Sequence, residues 1–305
     1  GSFDGQGYEI RDLFIDRPEE DNVGLFGSID KGGFIRNIGV VNASVLGYDD
    51  VGALVGWNDG TVSNCCATGN VSGHHKVGGL VGSNYDGSVT DSHSNGSISG
   101  KSTVGGLVGF NHDMVRNSHS SASVTGTMVG GLVGVNWDNG TVSNCYSTGN
   151  GTGDESVYGY GELVGGLVAT NRGDISTSYS TSTVTGDRYI GGLVAVNAGD
   201  LNNSYSTANV TGTYCVGGLV GANSGSGLNN GTVSNSCSNS SVTGISYVGG
   251  LVGQNQNTVD KSYSTGTVTG NDSVGGLVGE NDGWVINSFW DTQTSGQATS
   301  AGGTA

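Results

Sequence analysis

Valine and leucine return along this chain in a short hexad of the type Val-Gly-Gly-Leu-Val-Gly. The leucines fall at Leu25, Leu54, Leu80, Leu107, Leu132, Leu167, Leu193, Leu219, Leu251 and Leu277. Their intervals run from 25 residues (Leu107 to Leu132) to 35 (Leu132 to Leu167). Self-similarity at this period marks stacked supersecondary units, none of which can bury its apolar face alone. Between hexads the apolar positions alternate with polar ones, as in Thr267-Val268-Thr269, the pattern of strands with one inward face. The predicted fold class is all-β: a parallel β-helix, or β-solenoid, of about ten three-sided coils, roughly 50 Å long at about 4.8 Å per coil.

One coil can be read in full from Val129 onward. The hexad Val129–Gly134 precedes Asn136, a polar turn through Gly140, the segment Thr141–Gly149, and a third short segment whose regular form is Thr183-Val184-Thr185-Gly186. An asparagine follows the hexad at Asn58, Asn84, Asn111, Asn136, Asn171, Asn197, Asn223, Asn255 and Asn281. Stacked at strand spacing, these side chains predict a ladder of amide hydrogen bonds that also caps the turn. The paired glycines predict either φ > 0 or close approach of neighbouring backbone. Strict alternation in the hexad puts Leu132 on one face and Val129 and Val133 on the other. Either a bend at the glycine pair turns both sets inward, or a valine stripe faces outward and demands a partner sheet or lateral assembly.

Repetition from end to end predicts one domain over residues 1–305: an N-terminal cap at 1–22, repeats at 23–286, and a C-terminal cap and tail at 287–305. The first segment holds Pro18, the one proline, and the last carries Phe289-Trp290-Asp291 where other coils have Tyr-Ser-Thr. The two longest coils carry insertions near 151–162 and 224–230, where loops suited to specific contact are expected. With 60 glycines but 1 proline and no every-third-residue glycine, collagen is excluded. A net charge of −16 with no basic cluster argues against nucleic acid as a partner. Five cysteines (Cys65, Cys66, Cys145, Cys215, Cys237) form no even framework and read as small column fillers. No stretch approaches the ~20 apolar residues of a membrane span, so no membrane insertion by this segment is expected. The chain opens within the pattern, which predicts a piece of something longer.

Val77-Gly78-Gly79-Leu80-Val81-Gly82-Ser83-Asn84 and its relatives resemble the GLUG motif of haemagglutinin-like and other large surface proteins of bacteria and archaea. The opening Phe3–Ile10 and the closing Asn287–Thr292 resemble the flanks of such arrays. The resemblance implies a secreted, right-handed β-helix at the cell surface, acting in adhesion or as an extracellular stalk, without catalytic residues or cofactor. Its partners would be cell-surface glycans or proteins, or further copies in a fibre. The first copy departs from the pattern, with Phe26 for valine and Ile29 for asparagine, as a capping coil would.

Candidate chemistry lies in the surface columns. The position that is tyrosine at Tyr146, Tyr179, Tyr205 and Tyr263 holds Cys66, His93 and His119 in three consecutive coils. Thiolate and imidazole suit zinc or copper, whereas Cys237 and Phe289 in the same column suggest mere tolerance of medium-sized side chains. The internal acidic pairs Asp49-Asp50 and Asp154-Glu155 are the candidates if the chain were a polysaccharide-active β-helix, which needs carboxylates converging at about 5–9 Å. Outward Ser, Thr and Asn rows flank the inward valine of the last segment and resemble ice-binding solenoids in outline, with a break expected at Asn150-Gly151-Thr152. Glycosylation sequons stand at Asn42, Asn70, Asn95, Asn139, Asn150, Asn202, Asn209, Asn230, Asn239 and Asn271. Trp57, Phe110, Trp137 and Trp284 near the turns suit sugar rings but do not read as one column.

Overall fold

The computed structural model describes residues 1–154, 162–225 and 230–305. These build a β-solenoid of parallel strands in which each coil pairs, in register, with the coil before and after it. A ten-stranded parallel sheet runs from Phe26–Ile29 to Val278–Asn281 with one strand per leucine repeat. The described helix is a single turn, Thr292–Ser295.

In the coils between Met128 and Thr269 each predicted three-segment coil resolves into five short strands, whereas in earlier coils several of these run together, as in Cys66–Gly78 and His93–Gly105. From Met128 they are Met128–Gly130, Val133–Asn136, Thr141–Ser143, Tyr146–Ser147 and Gly151–Gly153. The extra breaks fall at Gly131-Leu132 and Asn144-Cys145. The first places Leu132 in a corner, so Val129, Leu132 and Val133 are all at 0% exposure. The hexad bends inward, and the outward valine stripe does not exist.

Close approach explains the glycine pair. A Cβ on Gly130 would lie 1.8 Å from the Val133 carbonyl oxygen, and one on Gly131 would lie 2.1 Å from that of Gly166. Positive φ is carried elsewhere. At the second break, Asn37, Asn64, Asp91, Asn117, Asn144, Thr177, Asn203, Asn235, Lys261 and Asn287 take φ between 47° and 54°. Asparagine dominates because its short polar side chain tolerates the left-handed region.

The ends close differently. Ser2–Arg11 pairs with Phe34–Leu46, and Ile29, 3% exposed, lies beside Asn58 over the end of the asparagine column. At the other end Trp290 is 9% exposed and donates its ring N–H to the Gln297 carbonyl at 3.1 Å. The tail then supplies the hydrogen bonds a further coil would make: Gly276 N–H to Thr299 and Ala301 N–H to Val278. An open solenoid end is an unpaired sheet edge, and this tail covers it.

Candidate functional site

The asparagine column is a continuous buried ladder. Each side-chain amide donates to the Oδ1 of the next coil, from Asn58→Asn84 (2.7 Å) through Asn111→Asn136 (2.7 Å), Asn136→Asn171 (2.8 Å) and Asn197→Asn223 (3.0 Å) to Asn255→Asn281 (2.7 Å). The amides also donate to turn carbonyls, for example Asn136 to Gly140 at 3.0 Å. Buried amides thus find partners, and the turn beside them is held at a fixed pitch. A serine column one corner away repeats the device. Ser92 N–H donates to Ser118 Oγ at 3.2 Å, Cys145 N–H to Ser178 Oγ at 3.1 Å, and Ser178 N–H to Ser204 Oγ at 3.2 Å. Cys65 and Cys145 fill positions of that column; burial pushes their thiols up to about 11 and about 12. All five cysteines are free.

Two aromatic features lie on the surface. His93, His119, Tyr146, Tyr179 and Tyr205 stack ring on ring, with centroids 4.6 to 5.0 Å apart and planes within 5°. His93 and His119 are thus neighbours, and Cys66 pairs with His93. Yet face-to-face stacking spreads the three over consecutive coils. Cys66, His93 and His119 do not converge within 4.8 Å, whereas Asp49, His74 and His75 do. That cluster went unread in the sequence; the His74-His75 dipeptide, one coil after Asp49, was its signal.

The second feature corrects the reading of the turn aromatics. Trp57 stacks on Tyr85 (5.1 Å) and Tyr85 on His112 (4.8 Å), while Phe110 meets Trp137 at 6.1 Å. Lys76 lies over both Trp57 and Phe110, at 5.6 and 5.7 Å, and Arg172 over Trp137 at 4.2 Å. Three of the four predicted aromatics therefore share one edge of the solenoid. Trp284 stands apart, 72% exposed.

Of the acidic pairs, Asp49-Asp50 lies among the described residues and its two carboxylates are engaged locally. Asp50 is buried, accepts from the Ser83 hydroxyl and lies 3.4 Å from Lys76 Nζ, while Asp49 accepts from His75 N–H at 3.0 Å. Glu155, most of the first insertion and residues 226–229 of the second lie outside the described residues. The outer hydroxyl row is less broken than expected. Gly151 replaces the inward valine, and Thr152 pairs with Thr125 and Thr185. One unbroken row thus runs Ser72, Ser99, Thr125, Thr152, Thr185, Thr211, Thr243, Thr269. Of the sequon asparagines, Asn42, Asn70, Asn95, Asn139, Asn150, Asn209, Asn230, Asn239 and Asn271 are exposed, and Asn202 is half-buried.

Comparison with known proteins agrees with this architecture. The GLUG motif matches residues 73–99, 100–125, 125–152 and 244–269. The chain is also similar to halomucin of Haloquadratum walsbyi (strain DSM 16790 / HBSQ001), 48% identical over 83 residues, or 27% of this chain. The match spans 1% of the length of that relative. No solved structure matches. The chain is a β-solenoid carrying GLUG-motif repeats. Among the described residues no helix is long and apolar enough to cross a membrane.

Proposed function

We propose that this chain is a non-enzymatic, extracellular spacer segment of a larger cell-surface protein, and that its mechanism is rigid display. The observation that carries this reading is the asparagine ladder from Asn58 to Asn281, which ties the coils into one rod through buried hydrogen bonds. The likeness to a short stretch of a far longer relative supports a segment rather than a whole machine. Small-angle scattering with light scattering on the untagged chain is expected to return an elongated monomer. A compact particle would overturn the rod, and ordered assembly would make a filament the leading function.

An adhesive role for the same rod is favoured by one specific feature, the edge bearing Trp57, Tyr85, His112, Phe110 and Trp137 with Lys76 and Arg172 beside them. Aromatic faces flanked by cations suit acidic glycans. A glycan array is expected to give signals that Trp57→Ala and Trp137→Ala both reduce. The ice-binding reading rests on the Ser72 to Thr269 row, and thermal hysteresis tests it directly.

A further inference from the structure

We propose that Asp49, His74 and His75 form a binding site for one borderline divalent metal ion, zinc in type. Asp49 opens the strand Asp49–Gly52, and both histidines lie in Cys66–Gly78, one coil further on. Asp49 and His75 are register partners, and His74 N–H donates to the Tyr48 carbonyl at 2.7 Å. Backbone pairing therefore fixes all three residues at one corner of two adjacent coils.

Successive residues of a straight strand point to opposite faces. Here the two imidazoles nonetheless meet, with ring centroids 4.1 Å apart in an edge-on arrangement, just before the strand turns at Lys76 (φ 52°). His74 Nδ1 is 3.8 Å from Asp49 Oδ1. That nitrogen is shielded from solvent and has no hydrogen-bond partner. Tyr48 stacks on the His74 ring at 4.8 Å and 9°, limiting its rotation. One donor atom from each of the three residues falls within 4.8 Å of the others.

A shielded imidazole nitrogen without a partner is costly, and an ion would satisfy it. Zinc bonds of about 2.0–2.2 Å to nitrogen and oxygen require donors somewhat closer than they stand here, a change within reach of side-chain rotation. Two imidazoles and one carboxylate favour zinc, nickel or copper over the all-oxygen shells of calcium and magnesium. Three protein ligands leave a fourth position for water. The nearby cations are accounted for in part: Lys76 is drawn to Asp50 at 3.4 Å and lies over Trp57, while Lys101 acts on His75 from the next coil. Among the described residues no other group of three such side chains converges, and the next coil sets Ser102 opposite His75. A bound ion would clip the second and third coils together.

The test is titration of the untagged, EDTA-dialysed chain with Zn²⁺, with Ca²⁺ and Mg²⁺ as controls. One equivalent of Zn²⁺ is expected to bind and to raise the melting temperature, with neither control doing so. Asp49→Asn, His74→Gln and His75→Gln should each abolish binding, while His93→Gln and Cys66→Ser leave it intact. Co²⁺ loaded on the unaltered chain should give d–d bands without a thiolate charge-transfer band. Absence of Zn²⁺ binding, binding undiminished in His75→Gln, or a thiolate band would overturn the proposal. The Co²⁺ spectrum decides even where a variant fails to fold.

Discussion

Asn136 donates its side-chain amide to Asn171 Oδ1 at 2.8 Å and to the Gly140 carbonyl at 3.0 Å, and both asparagines have 0% exposure. It also accepts from Asn111 at 2.7 Å, so one side chain serves three buried partners. Each buried group left unmatched costs about 1–3 kcal/mol. Asn136→Ala is expected to lower stability by about 3 kcal/mol in urea unfolding. Asn136→Asp should cost more, because it sets a carboxylate oxygen against Asn171 Oδ1. Asn281, the half-buried last member, can exchange its bonds for water, and its alanine variant should cost no more than about 1 kcal/mol. Equal losses at both positions would mean the ladder contributes nothing beyond ordinary packing.

Thr177 stands at φ 50° in a column otherwise rich in asparagine. A β-branched residue there carries strain that asparagine and glycine largely escape. Its side chain is exposed, so no packing offsets the strain. Thr177→Asn is expected to stabilise by about 1 kcal/mol, and Asn144→Thr, one coil earlier, to destabilise by a similar amount. Calorimetric melting of both variants checks the pair, and opposite signs are the required outcome.

The corner in the hexad gives a harder constraint. A methyl group on Gly131 would meet the Gly166 carbonyl at 2.1 Å and Ser147 Oγ at 2.3 Å. Backbone of the next coil cannot move without breaking its own ladder, so the clash must distort two coils. Gly131→Ala is expected to cost about 3 kcal/mol or more, the upper range for overpacking. Gly32, at φ 79° with nothing within 4 Å of its Cβ position, makes a useful contrast: its alanine variant tests backbone strain without a clash.

Columns whose residue repeats were legible in the sequence, because stacking at one strand spacing carries identity from coil to coil. The asparagine ladder is such a case: Asn58 to Asn281 were identifiable by offset alone. Corners were legible only as alternatives: the glycine pair allowed a bend that turns both sets inward or an outward valine stripe, and the burial of Val129, Leu132 and Val133 shows the bend. The aromatic edge escaped: Phe110 precedes its ladder asparagine and Trp137 follows its own, yet the turn folds them together. Asp49 and His75 met through register rather than through any local motif. The second asparagine column, from Asn37 to Asn287, announced itself in Thr-Val-Ser-Asn and was passed over because a left-handed residue leaves no hydrophobic signature.

Cys145 occupies the serine column between Ser118 and Ser178, and its thiol is pushed up to about 12 by burial; Cys65 reaches about 11 and Cys215 about 12. The ordinary value is 9.0, which the unfolded chain regains. Above pH 9 the unfolded state therefore sheds thiol protons that the folded state keeps, so it binds fewer protons and stability falls as pH rises. The loss should begin near pH 9 and continue towards pH 11, at about 1.4 kcal/mol per pH unit for each such thiol. In the double variant Cys65→Ser and Cys145→Ser, the hydroxyls fit positions where serine already stands in neighbouring coils. Urea midpoints at pH 7 and pH 10.5 are expected to show little change at neutral pH and a shallower alkaline loss than the unaltered chain. An unchanged alkaline slope would place the titration on tyrosines such as Tyr214, also raised to about 12, or on Cys215 alone.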